Sequence, residues 1–186
     1  MLLLTDGRIA TVERQGRLQV YTGNGKGKTT ASLGLAVRAA CSGMRVYIGQ
    51  FMKGQDYSEL CLPERLPEIT MEQYGTTGFI LPGGKPSVKD IQLAEAGLAA
   101  VTRAMLNGDY DLVVADEICV SVHLGLLREE QVLELAAARP ANIEVVFTGR
   151  YATDGIIEMA DLVTEMMSIK HYYDTEKLSA RPGIEN

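Results

Sequence analysis

The chain has 186 residues, 46% of them hydrophobic and 23% charged, with a formal net charge of −6. This suits one domain with a sizeable core and speaks against a general nucleic-acid surface, although a local basic loop can still hold phosphates in an acidic protein. Cys41, Cys61 and Cys119 lie too far apart for a C-x-x-C metal pattern or a disulfide framework, and no run of about 18 apolar residues appears, so a cytoplasmic protein without a membrane anchor is expected.

Residues 1–17 show no clear period and carry Asp6, Gly7, Arg8, Glu13, Arg14 and Gly16, which reads as an N-terminal arm or short hairpin ahead of a domain spanning 18–186. An apolar lead-in, Leu18 to Val20, then opens into Tyr21-Thr22-Gly23-Asn24-Gly25-Lys26-Gly27-Lys28-Thr29-Thr30 and a helical pattern. This order predicts a strand, a phosphate-binding loop and a helix. Glycines let backbone N–H groups turn onto phosphate oxygens, the helix N-terminus adds its positive dipole end, and Lys28 and Thr29 supply a cation and a metal-binding hydroxyl. Lys28 is expected on a solvent-facing loop. Counted back from Gly27-Lys28-Thr29, the Walker pattern requires glycine where Thr22 stands, and the glycine falls at Gly23 instead. The shift implies an unusual grip on the triphosphate.

Downstream, Leu33 to Ala40 supply a helical face that stops near Gly43. Val46–Phe51 and Ile69–Tyr74 read as strands separated by a segment marked by Pro63 and Pro67, and Gly75 to Pro86 as loop. Ser87 to Asn107 reads as a long helix, with a serine start and Asp90 three positions on. Asp111 to Glu117 follows as a buried strand ending in two carboxylates. A helix over Val132 to Ala138, a strand over Ile143 to Thr148, a short helix over Ile156 to Ala160 and a last strand from Leu162 to Met166 complete the pattern. Such alternation predicts a single-domain α/β fold, an open, mainly parallel sheet flanked by helices, P-loop NTPase-like (RecA-like). Its active edge would carry Lys28, Gln50, Glu117 and Arg150 at the carboxyl ends of the strands.

The four apolar residues ahead of Asp116-Glu117 resemble a Walker B strand, whose carboxylate holds Mg²⁺ while the metal bridges phosphate oxygens. Glu117 is the stronger candidate ligand, with Asp116 beside it. Arg150 ends another strand, where its planar fork would reach phosphate oxygens. His123 and His171 have no partner at metal-ligand spacing and read as packing or surface residues. Cys119 reads as a small buried residue.

Taken together, Thr22 to Thr30, Gln50-Phe51-Met52-Lys53-Gly54, Asp111 to Glu117, Arg139-Pro140, Thr148-Gly149-Arg150, Ala160 to Glu165, Lys170-His171 and Gly183-Ile184-Glu185 resemble the P-loop type of ATP:corrinoid adenosyltransferase. The resemblance runs from about residue 18 to the end of the sequence and includes the shifted glycine of the loop. It implies transfer of the 5′-deoxyadenosyl group of ATP to cobalt(I) of a corrinoid, with triphosphate leaving intact. It further implies that Gly23, Asn24, Gly25, Lys26, Gly27, Lys28, Thr29 and Thr30 hold the nucleotide, and that Thr29, Glu117 and Asp116 hold Mg²⁺ (or Mn²⁺). Lys28, Glu117 and Arg150 would be catalytic, and Phe79 would lie against the corrin face, with Leu81 where the family usually has tryptophan. A homodimer and a flavoprotein reductant are implied as partners. A P-loop ATPase or kinase, and a binding protein without turnover, are the alternative readings of the loop itself.

Overall fold

The computed structural model describes residues 3–5, 8–10, 14–78 and 84–186, and opens with two short antiparallel strands, β1 (Leu3–Thr5) and β2 (Arg8–Ala10). The main sheet begins at β3 (Leu18–Thr22), which leads through the glycine loop into α1 (Lys28–Ala40) and then β4 (Val46–Phe51). A 3-10 turn at Ser58–Cys61 and the single turn of α2 (Leu62–Arg65) precede β5 (Ile69–Tyr74). The long helix α3 (Val88–Leu106) returns the chain to β6 (Leu112–Asp116), and α4 (Ile118–His123) and α5 (Glu129–Ala137) lead to β7 (Glu144–Thr148). After α6 (Asp154–Met159) come the edge strand β8 (Leu162–Glu165) and a short α7 (Tyr172–Glu176).

Six parallel strands lie in the order β5-β4-β6-β7-β3-β8. All five residues of β6 are buried, and the four apolar ones alternate between two layers. Leu112 and Val114 join Ala36, Ala39, Val46, Ile48 and Val146 beneath α1, while Val113 and Ala115 join Val101, Met105, Phe51 and Phe147 beneath α3 and its neighbours. A strand buried on both faces must be apolar at consecutive positions, which is the pattern the sequence carries. Each large aliphatic side chain so enclosed contributes about 1.5–3 kcal/mol.

The helix after the loop crosses over two positions that β6 and β7 fill later. The carboxyl ends of β3, β4, β6 and β7 therefore stand side by side, the place where an open α/β sheet collects its ligand groups. Several elements differ from the expectation. α5 begins at Glu129 rather than Val132, because Glu129 and Glu130 occupy its first turn and Gln131 Oε1 accepts the Arg128 N–H at 2.9 Å. α4, the helical turns over residues 58–65 and α7 had no counterpart in the pattern. Phe79 and Leu81 lie outside the described residues, but the base of their loop is fastened: Asp90 accepts Thr76 Oγ1 at 2.9 Å and Ser87 Oγ at 2.7 Å.

Candidate active site

The loop after β3 is held from two sides. Gly23, at a φ of 93°, and Gly25 pack so closely on the chain beyond β8 that a Cβ on either would stand 2.5 or 2.7 Å from the Met166 carbonyl oxygen, to which Gly25 donates its N–H at 2.6 Å. Gly27, at φ 122°, caps α1 with no side chain of its own, which leaves the first-turn N–H groups of that helix free of a side-chain cap. Lys28 is buried, not on the solvent-facing surface that the sequence had suggested. It is 7% exposed, and its Nζ donates to the carbonyls of Gly23 at 2.8 Å and Gly25 at 2.7 Å. The loop is wrapped around its own lysine, and burial is the main cause that lowers the pKa of that ammonium.

Asp116 is the hub of the site. Its Oδ1 accepts the hydroxyls of Thr29 at 2.9 Å and Thr148 at 2.7 Å, and its Oδ2 faces Lys53 Nζ at 2.9 Å and Gln50 Nε2 at 3.3 Å. Glu59 extends the network, 3.3 Å from Lys53 Nζ and 3.1 Å from Gln50 Nε2. Glu117, next along the chain, adopts a left-handed φ of 65°, which costs a side-chain-bearing residue about 1–2 kcal/mol. The turn is fixed because its N–H donates to Thr148 Oγ1 at 2.9 Å and its carbonyl receives the Ser121 N–H at 3.1 Å. Burial, and next the charge of Asp116, raise the Glu117 pKa.

These groups line or back a cavity of about 780 Å³. Residues Gly25 to Thr30 form one wall, while Lys53, Glu117 and Arg150 close another. Gly23 and Asn24 belong to the same loop and Asp116 bonds Thr29 and Lys53, but none of these three lines the cavity. Arg150 is exposed and forms no ion pair among the described residues. His171 reaches the rim, where its Nδ1 accepts the Tyr173 N–H that opens α7. His123 stacks on Tyr151 with ring centroids 3.9 Å apart, away from the cavity.

The last residues of the chain supply the lid side of the cavity. Glu185 faces Lys26 Nζ at 3.3 Å, accepts the Tyr172 hydroxyl and pairs with Arg181 at 3.0 Å. Across the opening, Ser58 Oγ donates to the Asn186 main-chain oxygen at 2.9 Å. The sequence pattern singled out neither Lys53 nor Glu59 nor Glu185 as a site residue. The signal for Lys53 was its position just past a strand end, beside Gln50, where a parallel sheet aims its ligand groups.

A family model described as ATP:corrinoid adenosyltransferase BtuR/CobO/CobP matches residues 14–186. The chain is 36% identical over 184 residues to a corrinoid adenosyltransferase of Pseudomonas aeruginosa, covering 98% of this chain and 90% of that one. It is 35% identical over 189 residues to corrinoid adenosyltransferase CobA of Salmonella typhimurium, covering 97% and 91%, and 34% identical over the same span to a corrinoid adenosyltransferase of Escherichia coli. With the loop, the carboxylate strand and the arginine converging on one cavity, and a match that runs almost from end to end, the chain belongs to the ATP:corrinoid adenosyltransferase family.

Proposed function

We propose that the cavity seats the triphosphate of ATP along the loop between Lys26, Lys28 and Arg150, and that a corrinoid approaches C5′ of the ribose from the side of the loop that follows β5. As a member of its family the protein is an enzyme, one that transfers the adenosyl group of ATP to a corrinoid in adenosylcobalamin synthesis. The observation that carries the finer reading is the gathering of Lys26, Lys28 and Arg150 around one cavity. If the cobalt(I) electron pair forms the Co–C5′ bond, the C5′–O bond breaks with its pair passing to triphosphate. Charge then develops along a leaving group of three phosphates, and cations and N–H donors are needed over its full length.

In this reading Lys28 already holds the loop in shape through Gly23 and Gly25, so its ammonium is positioned before the nucleotide arrives. Lys26 leaves Glu185 for phosphate, and Arg150 contributes a planar pair of donors. Thr29, Asp116 and Glu117 are all oxygen donors, the set that suits a hard divalent cation such as Mg²⁺ or Mn²⁺. No group of three His, Cys, Asp or Glu able to hold a metal is present among the described residues, so the remaining ligands of such a cation would be phosphate oxygens and water. When bound, the metal would neutralise part of the triphosphate charge. Phe79 is proposed to exclude water from the corrin face. A homodimer, a flavoprotein as electron source and a cytoplasmic setting are proposed on the family resemblance; no helix among the described residues is long and apolar enough to cross a membrane.

The test is anaerobic incubation with ATP, Mg²⁺ and chemically reduced cob(I)alamin, following the light-sensitive adenosylated product and the phosphate products together. Intact triphosphate in equal amount to adenosylated corrinoid is expected. ADP and phosphate formed without corrinoid would instead make Glu117, whose raised pKa suits a proton acceptor, the base of an ATPase.

A further inference from the structure

Lys53 is the cation that the loop chemistry leaves without a task. It follows β4 through Met52, a residue at a left-handed φ of 60°, and the turn is locked from behind. A Cβ on Gly75 would stand 2.3 Å from the Met52 carbonyl carbon and 2.5 Å from Lys53 N, and one on Gly54 would stand 2.4 Å from the Gly75 oxygen. The result is an ammonium 2.9 Å from Asp116 and 3.3 Å from Glu59, on a side chain only 14% exposed, with the Tyr57 ring centroid 5.1 Å away. Lys53 nevertheless lines the same cavity as Lys28 and Arg150. One oxygen of the Asp116 carboxylate is therefore turned to Thr29, and the other is matched by a protein cation that also borders open space.

We propose that Lys53 is a stand-in cation. It balances Asp116 and Glu59 while the cavity holds no metal nucleotide, and it passes from Asp116 to a triphosphate oxygen when metal and nucleotide enter. A buried carboxylate left without a partner is strongly disfavoured, so the acid needs a counter-charge before the metal comes. Lysine suits the exchange: it carries a compact charge on a flexible stem, whereas an arginine fork would be bound in a fixed geometry. After the exchange Lys53 touches the leaving group, which adds a cation opposite the loop. The inference rests on the reading that Asp116 and Thr29 hold the metal and that the cavity holds triphosphate.

The experiment uses the full chain and two probes, Mn²⁺ followed by electron paramagnetic resonance without nucleotide, and inorganic tripolyphosphate followed by calorimetry. Removing one competing unit charge in Lys53→Gln is expected to tighten Mn²⁺ binding about tenfold and to weaken tripolyphosphate binding about tenfold. Lys53→Arg, which keeps the charge but on a fixed fork, is expected to bind Mn²⁺ no more tightly than the unaltered protein does. A lysine that only supports the fold would weaken both probes together, and that result, or an unchanged Mn²⁺ affinity in Lys53→Gln, overturns the proposal. If Lys53→Gln does not fold, Lys53→Gln/Asp116→Asn leaves a smaller charge imbalance behind; its tripolyphosphate affinity should fall about tenfold below that of Asp116→Asn alone, and equal affinities overturn the proposal. Unaltered protein that binds neither probe overturns the nucleotide reading and this inference with it. Normal binding of both by the unaltered protein, with no change in Lys53→Gln, overturns this inference alone.

Discussion

Lys28 is tied into its own loop in a way that a surface lysine could not be. Its ammonium satisfies two loop carbonyls, so Lys28→Ala leaves both Gly23 and Gly25 oxygens without their donor. We expect the variant to lose adenosylation and also to lose about 1–2 kcal/mol of stability, read from a urea titration; loss of activity at unchanged stability would mean that the carbonyls find other donors. Cys119 offers a second prediction at this scale. The thiol is fully buried beneath the site, and burial, with the Glu117 charge second, pushes its pKa up to about 12 from an ordinary value of 9.0. Because the folded form holds the proton more tightly than the unfolded one, this group's contribution to stability is complete below pH 9.0 and is lost as pH rises toward about 12. Cys119→Ala should flatten the alkaline arm of the stability profile. In native protein at pH 8 an alkylating reagent should modify the exposed Cys41 and spare Cys119, as peptide mapping would report.

Among the elements, α3 is the one whose start the sequence spelled out. Ser87 accepts the Asp90 N–H at 3.2 Å and Asp90 reaches back to the Ser87 N–H at 2.9 Å, a reciprocal cap whose partners are three residues apart. Ser87→Ala should cost about 1 kcal/mol in chemical unfolding. The hydrogen bonds from Ser87 also lower the Asp90 pKa, so its stabilising effect is present above the ordinary carboxylate range and fades as pH falls below it. Elements whose cause is local were legible in this way: the glycine loop, the buried strands and the start of α3. Others were not, because their cause lies far along the chain. α4 follows β6 with no glycine or proline to mark the turn, since Glu117 takes the left-handed conformation itself and Thr148, from another strand, holds it there. Lys53 acquires its meaning only beside Asp116, and Gln50 meets Asp116 across 66 residues of sequence. Strand order is invisible for the same reason, as periodicity tells which residues are buried but not which strand lies next.

At the scale of the whole molecule, residues 181–186 join the two sides of the cavity, touching the phosphate loop through Glu185 and Lys26 and the turn at Ser58 through Asn186. Removing residues 181–186 should leave the far-ultraviolet circular dichroism spectrum intact, since they carry no strand or core residue, while raising the KM for ATP on the order of tenfold. A truncated protein with an unchanged KM would show that the tail covers the cavity without serving it.

The sheet also orders events in time. A ribosome releases β3 well before β7 and β8, the strands on either side of it; the bond from Arg17 N to Glu144 Oε2 already spans 127 residues. Until they emerge, both edges of β3 are bare and Gly25 has no Met166 carbonyl to fasten the loop. Such distant parallel pairings form slowly and leave apolar strand edges open to other chains. The glycine loop is thus made well before the strands that fasten it, so a nascent chain stalled before β7 should fail to retain ATP even though every residue of the loop has been synthesised.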